Sequence, residues 1–407
     1  MSPEGTDGRP DLTDGSQEAR LATPHLVVPF HRPSIGQREV DLVREVLESG
    51  WLTSGPMVRR FESQLEAATG ASRVLALSSG TAALHLALDL AGIVPGDVVV
   101  VPVMTFTATA EAALYLGAQL RFADIDPETL NLSAGSLAPV LDERVRAVVP
   151  VDMGGMPHDY NAIRALSNKV GAAVVVDAAH SLGSRRGGEN VGAVEDLAAF
   201  SFYVTKPVTT AEGGALAIND DRLADRAERL RLHGMSHGAA ERFATTGHWR
   251  YDVTERGYKY NLADVNAAIG VAQLERLREL EEQRASIARR YQAELTMQAI
   301  ELPREPSGAD CNWHLFIIRL KLEALSIGRD RFMAELKGRG VNTSVHFIPL
   351  HMHSYYRDSF GLTEAAFPVA TDLSQRIVSL PIFPGMTDEE VTRVIETVSE
   401  VCLAFPR

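Results

Sequence analysis

Lys206 has the strongest claim on chemistry in this sequence. It stands in FSFYVTKPVTTAEGGAL, residues 200–216, just beyond an apolar run from Ala198 to Tyr203 that reads as a buried strand. An ammonium at the mouth of an apolar element is costly unless it loses its proton or gains a partner. A desolvated lysine with a lowered pKa is the nucleophile that Schiff-base chemistry needs. Pro207 biases Lys206 away from helical geometry, and Gly213 and Gly214 allow backbone to come close to a ligand. A surface lysine on a strand-to-strand loop has the same local sequence, so other residues must decide.

Ser78, Ser79, Gly80 and Thr81 immediately precede a predicted helix. Free amides and the helix dipole favour an anion there and the hydroxyls add donors, which makes a competent phosphate cradle. The same residues also serve as a plain N-cap. Asp177 closes the apolar run AAVVVD, residues 172–177. A carboxylate at the end of a buried strand must find a cation or hydrogen bonds. A protonated pyridine nitrogen, such as a pyridoxal phosphate ring offers, meets that need; capping the next turn would meet it too. His180, three residues on, is placed to cover a ring face, to bond a phenolic oxygen, or simply to be a satisfied core histidine.

Two further patterns point to other chemistry. Gly234-Met235-Ser236-His237-Gly238 fits the G-x-S-x-G nucleophile elbow, which requires a strand before the serine. A helix rich in Arg and Glu precedes it instead, which argues against a serine hydrolase. His346, His351 and His353 crowd one segment with His314 upstream, and a zinc hydrolase is the reading they would support. Their spacing matches no established zinc geometry, so a loop of partly exposed histidines is expected. The sequence has no GxGxxG at a strand–helix junction and no GxxxxGK[ST].

The elements that must position these residues follow from the hydrophobic pattern. GQREVDLVREVLES, residues 36–49, places Val40, Val43, Val46 and Leu47 on one helical face, and Val58 to Ala68 suggests a second amphipathic helix. From Val74 onward, short apolar strands alternate with helices: LALSSG, VVVVP, LRFADI, RAVVPV, AAVVVD, LAAFSFY and GALAIN. Wholly apolar strands separated by helices mean a mostly parallel sheet covered on both faces, an α/β fold. Ligands in such sheets sit beyond the carboxyl ends of the strands, and Lys206, Asp177 and the Ser79–Thr81 turn all follow strands. One long helix is expected from about Ala263 to Met297. Residues 1–24, rich in Gly, Asp, Ser and Pro, read as a disordered tail. Residues 25–300 read as the large domain. Residues 301–407, with LFIIRL, RDRFMAELKGRG, TSVHFI and DEEVTRVIETVSEVCLAF, read as a small C-terminal α+β domain.

Composition narrows the partners. The 407 residues carry 53 acidic and 40 basic side chains, a net charge of −13, which argues against a nucleic-acid surface. Cys311 and Cys402 are the only cysteines, so neither a disulfide framework nor a cysteine-rich metal site is expected. No apolar run is long enough for a membrane span, and the N-terminal residues lack the basic and apolar regions of a signal peptide. A cytoplasmic protein is the expectation.

Taken in order, SGTAALHLAL, VPVMTFTATA, DAAHSLG, SFYVTKPVTTAEGG and GYKYNLADVNAAIGVAQL resemble the DegT/DnrJ/EryC1/StrS family, pyridoxal-phosphate-dependent sugar aminotransferases of the aspartate aminotransferase fold. The match runs from about Pro29 to Leu403, from ESGWLTSGP to SLPIFPGMTDEEV. The resemblance implies a fold-type I enzyme in which Lys206 is the Schiff-base lysine. Asp177 falls on the residue that pairs with the pyridine nitrogen, and His180 on the neighbour of the ring hydroxyl. Ser79, Gly80, Thr81 and Ser201 fall at the phosphate, and Phe106 at the aromatic stacked on the ring. Asn261 matches an asparagine that reaches the phosphate of the other subunit's cofactor, which implies a homodimer with composite active sites.

The wording of KPVTTAEGG and GYKYNL is similar to that of the members aminating the 4-position of nucleotide-linked keto-sugars. Tyr203 departs from that group, where histidine is common after Ser-Phe, and is expected to face substrate. The implied reaction takes the amine from L-glutamate, releases 2-oxoglutarate and delivers the amine to a nucleotide-linked keto-deoxysugar. Amination of a 3-keto sugar or a keto-cyclitol is the alternative within the family. A noncatalytic sugar-nucleotide binder is the alternative outside it.

Overall fold

The computed structural model describes residues 26–236 and 250–407, so the disorder expected of residues 1–24 lies outside the described residues. Short aliphatic runs form β1 (Arg73–Leu77), β2 (Val98–Pro102), β3 (Gln119–Ala123), β4 (Val145–Val148) and β5 (Ala173–Asp177). A small hairpin follows, β6 (Arg185–Arg186) and β7 (Glu189–Asn190), and then β8 (Leu197–Ser201) and β9 (Gly214–Ile218). Seven of these make one sheet in the order β1-β9-β8-β5-β4-β2-β3. The β3, β2, β4, β5 and β8 neighbours are parallel, and β9 runs antiparallel to both β8 and β1. The expected mostly parallel α/β sheet is therefore present, with one reversed strand.

Alternation along the strands divides the core in two, because successive side chains in a strand point to opposite faces. Val99, Val101, Val175, Leu197 and Ala199 pack on one face with α3 (Gly80–Leu90) and α4 (Thr107–Tyr115). Val98, Val100, Val174, Val176, Ala198 and Phe200 pack on the other. That second face is covered by α1 (Gln37–Ser49), α2 (Pro56–Thr69) and α5 (Asp264–Glu275). Both faces are covered, which is why the strands read as unbroken apolar runs.

The buried face of α1 differs from the expected one. Leu42, Val46 and Glu39 are buried, whereas Val40 and Leu47 are exposed. The cause is polar: the Glu39 carboxylate accepts from Gln273 Nε2 at 2.6 Å and from the Gly36 amide at 2.9 Å, which turns that face inward. The expected long helix is also two helices. Arg276, at φ −112° and ψ 9°, separates α5 from α6 (Leu277–Glu294). Ala267, Ala268, Val271 and Ala272 of α5 belong to the core under the large sheet, while Ile287, Ala288 and Tyr291 of α6 belong to a third core. Each helix must present its stripe to a different core, and Arg276 absorbs the change of direction.

That third core is closed by an antiparallel sheet of β10 (Ile300–Glu301), β12 (Phe316–Leu320) and β13 (Ile377–Leu380), and by α7 (Asp388–Ala404). A third sheet joins β11 (Ala309–Asp310) to β6 and β7. TSVHFI supplies no strand to any of them; it contributes one isolated bridge, Ser344 to Ser379. Among the described residues no helix is long and apolar enough to cross a membrane.

Candidate active site

Strand direction brings the predicted residues to one edge of the large sheet. β5 and β8 are parallel neighbours with Asp177 opposite Ala199, so Asp177 and Ser201 end their strands on the same side. β1 is antiparallel to β9, as β8 is, so the turn after Leu77 opens on that side as well. The Lys206 loop connects β8 to β9.

The turn after β1 is held open at its backbone. Ser79 caps α3 by accepting from the Ala82 amide at 3.0 Å, so the cap reading of this residue is realised. The amides of Gly80 and Thr81 begin the helix, where backbone donors have no partner one turn earlier. A Cβ on Gly80 would lie 2.9 Å from Ser201 Cβ, and one on Gly214 would lie 2.3 Å from the Ser79 carbonyl carbon. Glycine at both positions lets β8 and β9 close on the turn without a side chain filling the cradle. The half-buried positions Ser79, Gly80, Thr81 and Ser201 therefore form one polar rim at the positive end of a helix dipole.

Asp177 is almost completely buried and hydrogen-bonded on both oxygens. Oδ2 accepts from Thr109 Oγ1 at 2.7 Å and Oδ1 from the Ala179 amide at 3.1 Å. Thr109 is in turn 2.7 Å from Thr105 Oγ1. Burial pushes the Asp177 pKa up, and the Thr109 bond, the Ala179 amide and the charge of Lys206 oppose it. The sequence reading missed Thr105 and Thr109, whose only signal is their i, i+4 spacing in TFTAT.

Lys206 as a residue is half-buried, yet the surroundings of its ammonium are dry enough to bring its pKa from 10.5 down to about 8, against the opposing charge of Asp177. Its loop is fastened along its length. The Lys206 amide donates to the Tyr203 carbonyl at 2.9 Å, and Thr209 Oγ1 and the Thr210 amide both donate to the Phe202 carbonyl. Two distant side chains hold the carbonyls around Lys206: His31 Nε2 donates to Val204 at 2.9 Å and Arg284 Nη2 to Pro207 at 2.9 Å.

Three histidines gather by Lys206. His180 Nδ1 accepts from the Gly154 amide at 3.2 Å, which leaves the proton of a neutral ring on Nε2. Its ring lies 4.5 Å from His314 and stacks at 5.9 Å on Phe347. His346 meets Phe347 edge-on at 5.0 Å, and its Nδ1 lies 2.9 Å from Ser379 Oγ. Burial lowers the pKa of His180 and His314 far below the usual value and that of His346 to about 4, with Lys206 adding to each shift. All three are neutral at pH 7. His351 departs from this group: it bonds Thr371 Oγ1 at 3.0 Å and packs on Phe367. The histidine segment seen in the sequence is thus split. Among the described residues no group of three or more His, Cys, Asp or Glu side chains is placed to hold a metal ion.

The remaining predicted residues lie at the margins. Phe106 precedes α4, is 57% exposed, and has its ring 5.8 Å from Phe347. Tyr203 is 46% exposed at the start of the Lys206 loop. Asn261 donates from Nδ2 to Ser54 Oγ at 2.7 Å and accepts from Lys259 Nζ. It lines a cleft of about 620 Å³ with Ser54, Arg59, Arg73 and Lys259. In the G-x-S-x-G segment, Gly234, Met235 and Ser236 follow a helix, Asp221–Leu230, while His237 and Gly238 lie outside the described residues.

Comparison with known proteins gives one consistent result. The family model described as "DegT/DnrJ/EryC1/StrS aminotransferase family" matches residues 33–399. The chain is 41% identical over 376 residues to the spore coat polysaccharide biosynthesis protein SpsC of Bacillus subtilis (strain 168), covering 92% of this chain and 97% of that protein. The putative sugar aminotransferase Spr1654 from Streptococcus pneumoniae, in its PMP form, superposes with a TM-score of 0.86 at 30% identity, covering 93% of this chain and 99% of that one. Its PLP form superposes with a TM-score of 0.85. The aminotransferase TlmJ from Streptoalloteichus hindustanus superposes with a TM-score of 0.84 at 33% identity, covering 93% of this chain and 99% of that one.

Proposed function

We propose that this chain, which belongs to the DegT/DnrJ/EryC1/StrS aminotransferase family, moves the amino group of L-glutamate onto a nucleotide-linked keto-deoxysugar at the sugar 4-position. It is a pyridoxal-phosphate-dependent sugar aminotransferase of fold type I, as its family and its PLP- and PMP-form neighbours are. Lys206 carries the reading: a lysine with a pKa of about 8 in a loop fastened beside a buried carboxylate.

The residues suit the cofactor. When bound, pyridoxal phosphate supplies a carbonyl that joins amines and a ring that withdraws electrons from the adjacent carbon. The amides of Gly80 and Thr81, with the hydroxyls of Ser79, Thr81 and Ser201, would hold its phosphate at the N-terminus of α3. Asp177, buried and held by Thr109, would hold a protonated ring nitrogen and so keep the ring electron-poor. His180, with its proton on Nε2, would donate to the ring's phenolic oxygen, and Phe106 would cover a face of the ring.

Lys206 then does the proton work. A pKa of about 8 makes a useful fraction of it a free amine near neutrality, ready to bond the carbonyl. With the amino donor held in its place, the same amine would take a proton from the substrate carbon and return it across the C–N unit; water would then release 2-oxoglutarate and leave the amino group with the cofactor. The keto-sugar recovers the amine by the reverse sequence. The three neutral imidazoles and Phe347 line this space without adding a competing charge.

Support for the nucleotide-linked substrate and the 4-position comes from KPVTTAEGG and GYKYNL, and from SpsC, whose name places it in polysaccharide biosynthesis. Exposed Tyr203 is the side chain we assign to the sugar. We read the molecule as a cytoplasmic homodimer, with Asn261 completing the partner's site from a cleft rich in cationic side chains. We also read residues 25–300 as the cofactor-binding domain and 301–407 as the small domain. The test is a panel of keto-sugar nucleotides given with glutamate and read by product structure. A 4-amino product is expected; no amination of any nucleotide-linked keto-sugar would overturn the substrate reading.

A further inference from the structure

We propose that Arg284 is a positioning residue for Lys206, fixing the chain on the carboxyl side of the lysine by holding the Pro207 carbonyl. The proposal rests on the aminotransferase reading and adds to it a residue 78 positions from the lysine, on a helix that contributes no group to the cofactor.

Lys206 is followed by a proline, which has no amide hydrogen and a fixed φ. Pro207 therefore has a single backbone hydrogen-bonding group, its carbonyl. Arg284 Nη2 donates to that carbonyl at 2.9 Å, and Nη1 donates to the Leu280 carbonyl of its own helix at 3.3 Å. On the amino side, the Lys206 amide is tied to Tyr203 and the Val204 carbonyl to His31. Lys206 is thus held between two fastened peptides, and the Arg284 contact is the one made from α6.

The environment of Arg284 argues against a role in packing alone. The residue is 3% exposed, and a buried cation is costly unless well compensated. An apolar side chain of similar length would fill the same space without that cost. Arg284 also lines a narrow space together with Lys206, His31, Thr209 and Gln273.

One turn before Arg284 on α6 is Glu281. A Cβ on Gly183 would lie 1.7 Å from Glu281 Oε1, so this helix turn abuts the loop that follows Asp177 and His180. The charge of Glu281 also opposes the effect of burial on Arg284. A single turn of α6 therefore touches both loops that carry the chemistry, one through Glu281 and one through Arg284. It braces both loops from behind, with Arg284 reaching the space beside Lys206.

The experiment compares the full-chain holoenzyme with Arg284→Met and Arg284→Lys. It reads the single-turnover rate with glutamate, the KM for glutamate, the pH titration of the cofactor–lysine absorbance band, and the melting temperature. A displacement of the reacting amine of about 1 Å costs on the order of a hundredfold in rate. Arg284→Met is expected to slow the glutamate half-reaction by about that factor, with KM within about threefold of wild type, and to shift the band titration from that of wild type. Arg284→Lys, which keeps a donor, is expected to recover about tenfold of that loss. An Arg284→Met rate within about threefold of wild type overturns the proposal, as does a loss that accompanies a lowered melting temperature with an unshifted titration.

If Arg284→Met does not fold, Arg284→Lys decides. A slower half-reaction with a shifted titration supports the proposal, and wild-type values for both overturn it. Wild-type protein whose band does not respond to glutamate refutes the donor reading instead. The positioning role is then decided by the band titration of the variants alone.

Discussion

Thr109 Oγ1 donates to Asp177 Oδ2 at 2.7 Å, across 68 positions of sequence, from helix α4 to the end of strand β5. The bond stabilises the ionised carboxylate, which burial alone disfavours. A hydrogen bond to a charged group is worth about 1.5–3 kcal/mol. Thr109→Val should therefore weaken cofactor binding by about ten- to a hundredfold and also lower the melting temperature of the cofactor-free protein, in which the bond is already made. Equilibrium dialysis of the cofactor checks this. Unchanged affinity would mean that Asp177 needs no such support.

Lys206 gives a pH signature with a definite sign. Its pKa is about 8 in the folded chain against 10.5 for an ordinary lysine. Between those values the unfolded chain binds more protons, so stability of the cofactor-free protein rises with pH across that window and the lysine is most unfavourable below it. Lys206→Met should melt higher than wild type at pH 7, and the difference should shrink from pH 8 to 10.5. The same variant should lose turnover by about a thousandfold or more. Reduction with borohydride and peptide mapping of the wild type must place the cofactor on Lys206; an adduct on Lys259 would refute the assignment.

Assembly is tested by complementation. Asn261→Ala should loosen cofactor retention about tenfold, the worth of one good hydrogen bond to a charged group, and leave the fold intact. Mixed with Lys206→Ala chains, it should regenerate activity, because one interface site then has both groups. No recovery under conditions of proven subunit exchange would count against composite sites.

Regiochemistry depends on how the sugar is held, since Lys206 reacts alike with any ketone that reaches it. A misplacement of about 1 Å costs on the order of a hundredfold in rate. Freshly generated 4-keto isomers should therefore be aminated far faster than 3-keto isomers. Tyr203→Ala should narrow that ratio about tenfold or more while cofactor affinity stays within about twofold. Faster turnover of the 3-keto isomer would reverse the positional reading and leave the sugar aminotransferase standing.

What the sequence made legible follows a physical division. The strands of the large sheet were readable because both faces are covered, which turns each into an unbroken apolar run such as VVVVP. Lys206 and Asp177 were readable because a charge at the end of such a run is anomalous. Contacts made by side chains across long separations were not: His31 reaches Val204 over 173 positions and Arg284 reaches Pro207 over 77. The hydrophobic pattern misplaces the face of α1 because a buried carboxylate, Glu39, outweighs Val40 and Leu47 in setting its rotation. The unbroken helix from Ala263 was misjudged because a periodic pattern does not say which core each half faces.

The reversed strand β9 decides where the site can give. Because β9 returns antiparallel beside β8, the Lys206 loop is a short return between two paired strands, shut at both ends by the same ladder. Lifting it would pull on the Ser201–Gly214 end of the β8–β9 pairing. The facing wall is built differently: Phe106 stands open to solvent just before α4, and the stretch around Val345 and Phe347 meets β13 through the Ser344–Ser379 bridge and the His346–Ser379 contact. The lysine therefore stands on paired strands, while the wall facing it is made of loop and side chains that touch the sheet at isolated points.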